Sequence, residues 1–353
     1  KPSLPASAFG AFGFASNSSR ETSAPSIMPM NPSLPSGTGI AVVTPFDSQG
    51  NPDPAGIASV MDHLVNGGVD FVVALGTTGE TPTLSKEERM QVLDLVREQL
   101  AGRLPLWCGM GGNDTRELLD QLKAFDLNGV DALLSVTPYY NRPTQEGLYA
   151  HYRELALSTD KPIVLYNVPA RTGCSLTAET TLRLASDFPN IVATKEASGD
   201  WGQIMEIMRS KPASFKVYSG DDAISLPLMA LGLDGVISVI GNALPQSFSA
   251  MVSHALKGDF QAARQIHHQL LPIMTAVFRE GSPAGIKFLL QELGLCKSIV
   301  RLPLVGISKG LQQVLTQELE HFLPVSSNPQ EPNQVNLSDL RAVNRAHGPF
   351  VQR

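Results

Sequence analysis

Between residues 39 and 258 the chain alternates short apolar runs with amphipathic stretches, eight times over. The apolar runs are GIAVVTPF (39–46), DFVVALG (70–76), LPLWCGMG (104–111), DALLSVTP (131–138), PIVLYNVP (162–169), IVATKEAS (191–198), FKVYSGDD (215–222) and GVISVIGN (235–242). Stretches of helical period follow them in turn: PAGIASVMDHLVNGG, SKEERMQVLDLVREQLAG, DTRELLDQLKAF, QEGLYAHYRELAL, TAETTLRLASDF, WGQIMEIMRS, AISLPLMALGL and PQSFSAMVSHALKG. Runs that are apolar throughout, rather than on alternate residues, suit strands covered on both faces, as in a parallel sheet. Ser85, with Glu88 three residues later, predicts a capping box, after which Leu93, Val96 and Leu100 fall on one helical face. Eight strand–helix units in roughly 220 residues predict an α/β fold, a (β/α)8 TIM barrel. A doubly wound open sheet competes, but it usually has fewer units and opens on a G-x-G-x-x-G turn, which this chain lacks.

Helical patterns continue beyond the barrel, including FQAARQIHHQLLPIMTAVF. They predict a C-terminal helical appendage over residues 259–323 that covers the barrel (37–258) or joins subunits. Residues 1–36 are rich in Ser, Pro and Ala and lack sustained periodicity. A plastid transit peptide is one reading of such a segment. A disordered extension is preferred, because Lys1 and Arg20 are its only basic residues, and Met30 is a candidate start. Residues 324–353, polar and rich in Pro, Asn and Gln, read as a mostly disordered tail.

Composition narrows the function classes. The formal net charge is -6 with no basic run, which argues against nucleic acid and anionic membranes as partners. No window is apolar for long enough to span a bilayer. Cys108, Cys174 and Cys296 are widely spaced and form no C-x-x-C pair, so neither a disulfide framework nor a structural zinc site is expected. This fits a reducing compartment; a bacterial cytoplasm is the expected location, with a plastid as the alternative.

In a barrel of this kind the chemistry sits at the C-terminal ends of the strands. Those ends carry Gly76-Thr77-Thr78-Gly79-Glu80, Pro138-Tyr139-Tyr140-Asn141, Tyr166-Asn167-Val168-Pro169 with Arg171, Lys195-Glu196, and Ser219-Gly220-Asp221-Asp222. Lys195 lies inside an otherwise apolar run, where an unpaired ammonium is costly. Desolvation of a lysine favours the neutral amine, a nucleophile toward carbonyl carbon. A structural ion pair is the other reading, although Glu196 faces the opposite side of the strand. From position alone both stand.

Thr77, Tyr140 and Tyr166 offer hydroxyls that can relay protons without a metal. Tyrosines also line barrel mouths for ordinary reasons, with the polar tip in water. The GTTGE turn presents amides and hydroxyls to a carboxylate, and Arg171 can bind one bidentately. By itself the turn is a weak signal, equally an ordinary glycine turn, and an isolated arginine is more commonly a solvated surface residue. All seven histidines fall in helical segments or the tail, so no metal is expected, nor any other cofactor. Asp221 and Asp222 after the seventh strand would repel a phosphate, which favours carboxylate substrates over sugar phosphates.

GTTGE, VTPYYNRPTQEGLY, LYNVPARTG, KEASGD and SGDD followed by GVISV, in this order from about residue 37 to about residue 322, closely resemble the dihydrodipicolinate synthase family. That family belongs to the N-acetylneuraminate lyase superfamily of pyruvate-dependent class I aldolases. The resemblance implies a lyase that condenses pyruvate with L-aspartate 4-semialdehyde to 4-hydroxy-tetrahydrodipicolinate, in lysine and diaminopimelate biosynthesis. It implies Lys195 as the Schiff-base residue and Tyr166 as general acid/base. Thr77 and Tyr140 would complete the relay, with Tyr140 reaching in from a neighbouring subunit of a homotetramer built as a dimer of dimers. Thr77 and Thr78 would hold the pyruvate carboxylate and Arg171 that of the aldehyde, while Gly220 and the main chain of Ile237 would line the pocket.

Arg171 favours this family over sialic acid lyases and 2-keto-3-deoxy sugar-acid aldolases, because a polyol chain has no use for an arginine there. The joint presence of Lys195, Tyr166, Tyr140 and Thr77 argues against a catalytically silent paralogue that only binds a 2-oxo acid. Asn113, Glu117 and Tyr139 match positions of the family's allosteric lysine cleft. Lys86 and Arg89 add positive charge there, which predicts weak or absent inhibition by lysine, unless Arg89 meets the ligand's carboxylate.

Overall fold

A computed structural model of the chain describes residues 34–322. Eight parallel strands close into a barrel in sequence order. They are β1 (Gly37–Ala41), β2 (Phe71–Ala74), β3 (Leu106–Gly109), β4 (Ala132–Val136), β5 (Ile163–Asn167), β6 (Ile191–Glu196), β7 (Lys216–Ser219) and β8 (Gly235–Ser238). The intervening and following helices are α1 (Pro54–Asn66), α2 (Lys86–Leu100), α3 (Thr115–Ala124), α4 (Gln145–Leu157), α5 (Pro169–Thr172), α6 (Ala178–Asp187), α7 (Trp201–Ser210), α8 (Ser225–Ala230) and α9 (Pro245–Leu256). The barrel closes where β1 pairs with β8, with Gly37 opposite Gly235. A Cβ on Gly235 would lie 2.1 Å from the Gly37 carbonyl oxygen, so the seam needs a residue without a side chain there.

Strand parity divides the core in two. Phe71, Val73, Trp107, Leu134, Val164, Ala193, Tyr218 and Ile237 fill the barrel interior. Their neighbours Val72, Cys108, Leu133, Leu165, Val217 and Val236 pack outward with the helices. This double burial is why the strands read as apolar throughout. At the N-terminal end Phe71 stacks on Trp107 at 4.1 Å between ring centroids, and Tyr218 meets both edge-on. Tyr218 donates its hydroxyl to the Pro35 carbonyl at 2.7 Å, and Leu34 is buried beside this cluster. Leu34 and Pro35, which fall within the expected N-terminal extension, are thus packed against the barrel floor. Residues 1–33 of that segment and the tail 324–353 lie outside the described residues.

The capping box forms as predicted: Ser85 accepts from the Glu88 amide, and Glu88 accepts from the Ser85 amide. The strands are shorter than the apolar runs, which continue into the turns above them. Leu75, Met110 and Val168 lie past the last paired residues of their strands and are still buried. The short helix α5 was not anticipated; Pro169 begins it and Gly173, at φ 74°, ends it. The C-terminal region forms α10 (Phe260–Ala276), α11 (Ala284–Glu292) and α12 (Lys309–Glu320), with α10 on α9 and α12 against both α10 and α11. No helix among the described residues is long and apolar enough to cross a membrane.

Candidate active site

On β6 the alternation turns Ala193 and Lys195 inward and Glu196 outward. Glu196 is held by the Asn167 side-chain amide at 3.1 and 3.3 Å, the Ser198 amide at 2.9 Å and the Gln203 side chain at 3.3 Å. Burial pushes its carboxyl above the usual range, against the pull of those hydrogen bonds. The carboxylate beside Lys195 in sequence is therefore engaged on the other face of the strand. Lys195 is 4% exposed and forms no ion pair among the described residues. In register it sits between Tyr166 of β5 and Tyr218 of β7. Its Nζ lies 4.4 Å from the centroid of the Tyr166 ring. Gly220, just past β7, leaves room for it, since a Cβ there would come within 2.9 Å of Lys195 Cε.

A cleft of about 320 Å³ opens beside this pair at the C-terminal end of the barrel. Thr77, Tyr166 and Arg171 line it, with Gly76, Met110, Gly111, Val136 and Val168. Thr77 and Thr78 belong to a 3-10 turn over Thr77–Gly79, in which Thr78 is buried and Thr77 exposed. Arg171 projects from α5 and is exposed. Ile237 is fully buried in the barrel interior with Tyr166. Four of the five candidate allosteric residues, Arg89, Asn113, Glu117 and Tyr139, line the same cleft; Lys86, exposed at the start of α2, does not. Arg89 donates to the Leu84 carbonyl at 3.1 Å, and Gln121 bridges from Arg89 to Glu117.

Tyr140 is not part of the cleft within one chain. It is 89% exposed, and its backbone is left-handed at φ 72°. The Asn141 amide donates to the Tyr139 carbonyl at 2.9 Å, so Tyr140 is the centre of a γ-turn of the rarer, strained hand. The turn is anchored on both sides. Asn141 donates its side-chain amide to the Asn113 carbonyl at 2.8 Å, and the Tyr140 amide donates to the Thr172 carbonyl at 3.3 Å.

Two buried charge sites escaped the reading of the sequence. Lys287 of α11 is fully buried and ion-paired with Glu80 of the GTTGE turn. Its one signal was a lysine within the apolar stretch GIKFLL, weaker than that of Lys195 because the stretch is helical. Asp222 is 2% exposed and accepts the amides of Val239 and Ile240 at 3.0 and 2.7 Å. It thereby ties the loop after β7 to the turn after β8, whereas exposed Asp221 caps the Ala223 amide at 3.0 Å.

The sequence pattern of the dihydrodipicolinate synthetase family matches residues 35–322. The 4-hydroxy-tetrahydrodipicolinate synthase of Parabacteroides distasonis is 50% identical over 269 residues, 76% of this chain and 91% of that one. The crystal structure of dihydrodipicolinate synthase from Aquifex aeolicus aligns with a TM-score of 0.79 at 39% identity, covering 81% of this chain and 98% of that one. A chloride-inhibited dihydrodipicolinate synthase from Acinetobacter baumannii, solved in complex with pyruvate, aligns equally well at 38% identity over 81% and 98% of the two chains. With barrel, buried lysine and lining tyrosine in place and the match spanning every described element, the chain belongs to the dihydrodipicolinate synthetase family.

Proposed function

We propose that Lys195 is the Schiff-base residue of a 4-hydroxy-tetrahydrodipicolinate synthase reaction, the condensation of pyruvate with L-aspartate 4-semialdehyde. The observation that carries this reading is the state of Lys195: buried, without a carboxylate partner among the described residues, and packed with its Nζ 4.4 Å from the Tyr166 ring centroid. The other buried lysine, Lys287, has its charge spent on Glu80. The Lys195 amine adds to the carbonyl carbon of pyruvate, and the carbinolamine loses water to give an imine. Loss of a C3 proton gives the enamine, whose C3 forms the new bond to the aldehyde carbon. Tyr166 is the acid/base for these proton transfers, with Thr77 and a neighbouring subunit's Tyr140 as relay. Thr77 and Thr78 take the pyruvate carboxylate. Arg171, exposed on the cleft wall, takes the carboxylate of the aldehyde. Gly220 and the Ile237 main chain line the space beside Lys195.

The test is intact-protein mass spectrometry after mixing with pyruvate and borohydride, on wild type and Lys195→Ala. A reduced pyruvyl adduct on wild type alone is expected. Absence of the adduct on folded wild type, or its persistence on Lys195→Ala, overturns the assignment.

A further inference from the structure

Glu80 occupies a backbone conformation that favours glycine, φ 56° and ψ 31°, yet its side chain is fully buried. It is the hinge between two 3-10 turns, Thr77–Gly79 and Thr81–Thr83. Its amide donates to the Thr77 carbonyl at 3.1 Å, and its own carbonyl accepts from the Thr83 amide and hydroxyl, each at 3.0 Å. Its carboxylate reaches the C-terminal region. Oε1 pairs with Lys287 Nζ, and Oε2 accepts from the Arg301 amide at 2.9 Å. Lys287 is itself fixed: it donates to the Ile299 carbonyl at 2.8 Å and lies 4.0 Å from the centroid of the Phe46 ring. On the opposite side of the turn the Thr44 hydroxyl donates to the Gly79 carbonyl at 2.7 Å.

A buried ion pair between segments 207 residues apart is a poor source of net stability, since desolvation offsets most of the attraction. What it does provide is geometry. The residue it holds in a left-handed conformation stands one position after the turn that carries Thr77 and Thr78. We infer that Lys287, acting through Glu80, is a positioning residue that fixes the Thr77–Thr78 turn for the pyruvate carboxylate. The C-terminal helical region is thereby part of the pyruvate site, besides covering the barrel. This rests on the reading above that the turn receives that carboxylate.

The experiment is steady-state kinetics of the full chain with both substrates varied, on wild type, Lys287→Met and Glu80→Gln, each first checked for folding by circular dichroism and for adduct formation on Lys195. In Lys287→Met the KM for pyruvate rises about tenfold or more, kcat falls with it because the same turn carries the relay hydroxyl of Thr77, and the KM for the aldehyde stays within about twofold. Glu80→Gln keeps an acceptor for Lys287 and gives a smaller rise in the same parameter. A folded Lys287→Met with wild-type KM for pyruvate, or one that loses kcat alone, overturns the inference. Should Lys287→Met not fold, Glu80→Gln decides in its place: an unchanged KM for pyruvate overturns the inference and a raised one supports it. Failure of wild type itself to form the adduct overturns the Schiff-base reading and this one together, whereas a normal wild-type adduct with unaltered pyruvate dependence in the variants removes only the role of Lys287.

Discussion

Lys195, Lys287 and Asp222 are three buried charges with three outcomes. Lys195 has no carboxylate partner among the described residues and is assigned to chemistry; Lys287 has one and is assigned to geometry. Asp222 is half satisfied: Oδ2 accepts two backbone amides, and Oδ1 has no partner among the described residues. Burial pushes its carboxyl up to about 6 from 3.8, with the hydrogen bonds from Ile240 and Val239 pulling the other way. A carboxyl whose folded pKa exceeds its unfolded value binds its proton more tightly in the native state. Its contribution is therefore most favourable below the unfolded pKa and is lost as pH rises through the folded one. A shift of this size corresponds to about 3 kcal/mol lost by neutral pH. Asp222→Asn keeps an oxygen for the two amides and cannot ionise. In chemical denaturation the variant should gain stability relative to wild type as pH rises from about 4 to about 8, by roughly 3 kcal/mol in total. A stability difference that stays flat across that range would show that Asp222 does not titrate in the folded protein as its burial demands.

At the scale of elements, the alternation of apolar and amphipathic segments carried most of the fold. Eight units were legible because each strand is buried on both faces and each long helix keeps its period; α4 and α7 coincide with their predicted stretches residue for residue. Strand ends were not legible, because residues such as Leu75 and Met110 stay buried after the pairing stops. Helix α5 spans four residues, fewer than periodicity needs. Lys195 stood out as a charge in a strand, whereas Lys287 sits in a helix, where a polar residue within an apolar stretch is unremarkable. Its partner Glu80 read as part of a plain glycine turn. The five allosteric candidates depended on resemblance; Lys86 and Arg89 lie on α2, Glu117 on α3, and Asn113 and Tyr139 in loops. Glu117, the one carboxylate among these candidates, accepts from Gln121 at 3.3 Å, and the guanidinium of Arg89 lies on the other side of that amide. A lysine whose ammonium meets Glu117 brings that charge near Arg89. Isothermal calorimetry with L-lysine at neutral pH should show weak binding or none, and reaction rates should be nearly insensitive to added lysine. Tight binding would mean that Arg89 meets the carboxylate of the ligand and that the charge argument has the wrong sign.

For the molecule as a whole, the residue to test is Tyr140, proposed for the relay yet exposed and outside the cleft of its own chain. Tyr140 carries two costs in isolation, a left-handed backbone and an aromatic ring 89% exposed to water. The turn that imposes both is well anchored, to Asn113 on one side and Thr172 on the other. A rigid mount for an exposed ring makes sense if the ring is buried elsewhere. In a symmetric dimer each copy both gives and receives the same residue, so two Tyr140 side chains would complete two sites. This arrangement can be distinguished from action within one chain. Tyr140→Phe and Lys195→Ala should each be nearly inactive alone. Co-expressed, they form mixed dimers in which the subunit that keeps Lys195 receives Tyr140 from its partner, giving one complete site and one site lacking both groups. With random pairing the mixture should recover about a quarter of wild-type activity, because half the dimers are mixed and half of their sites are whole. Recovery should disappear on dilution below the dissociation constant of the dimer, followed by sedimentation velocity on the same samples. A mixture as inactive as its parents, with mixed dimers demonstrated by mass spectrometry, would place Tyr140 in the relay of its own chain or outside the chemistry altogether.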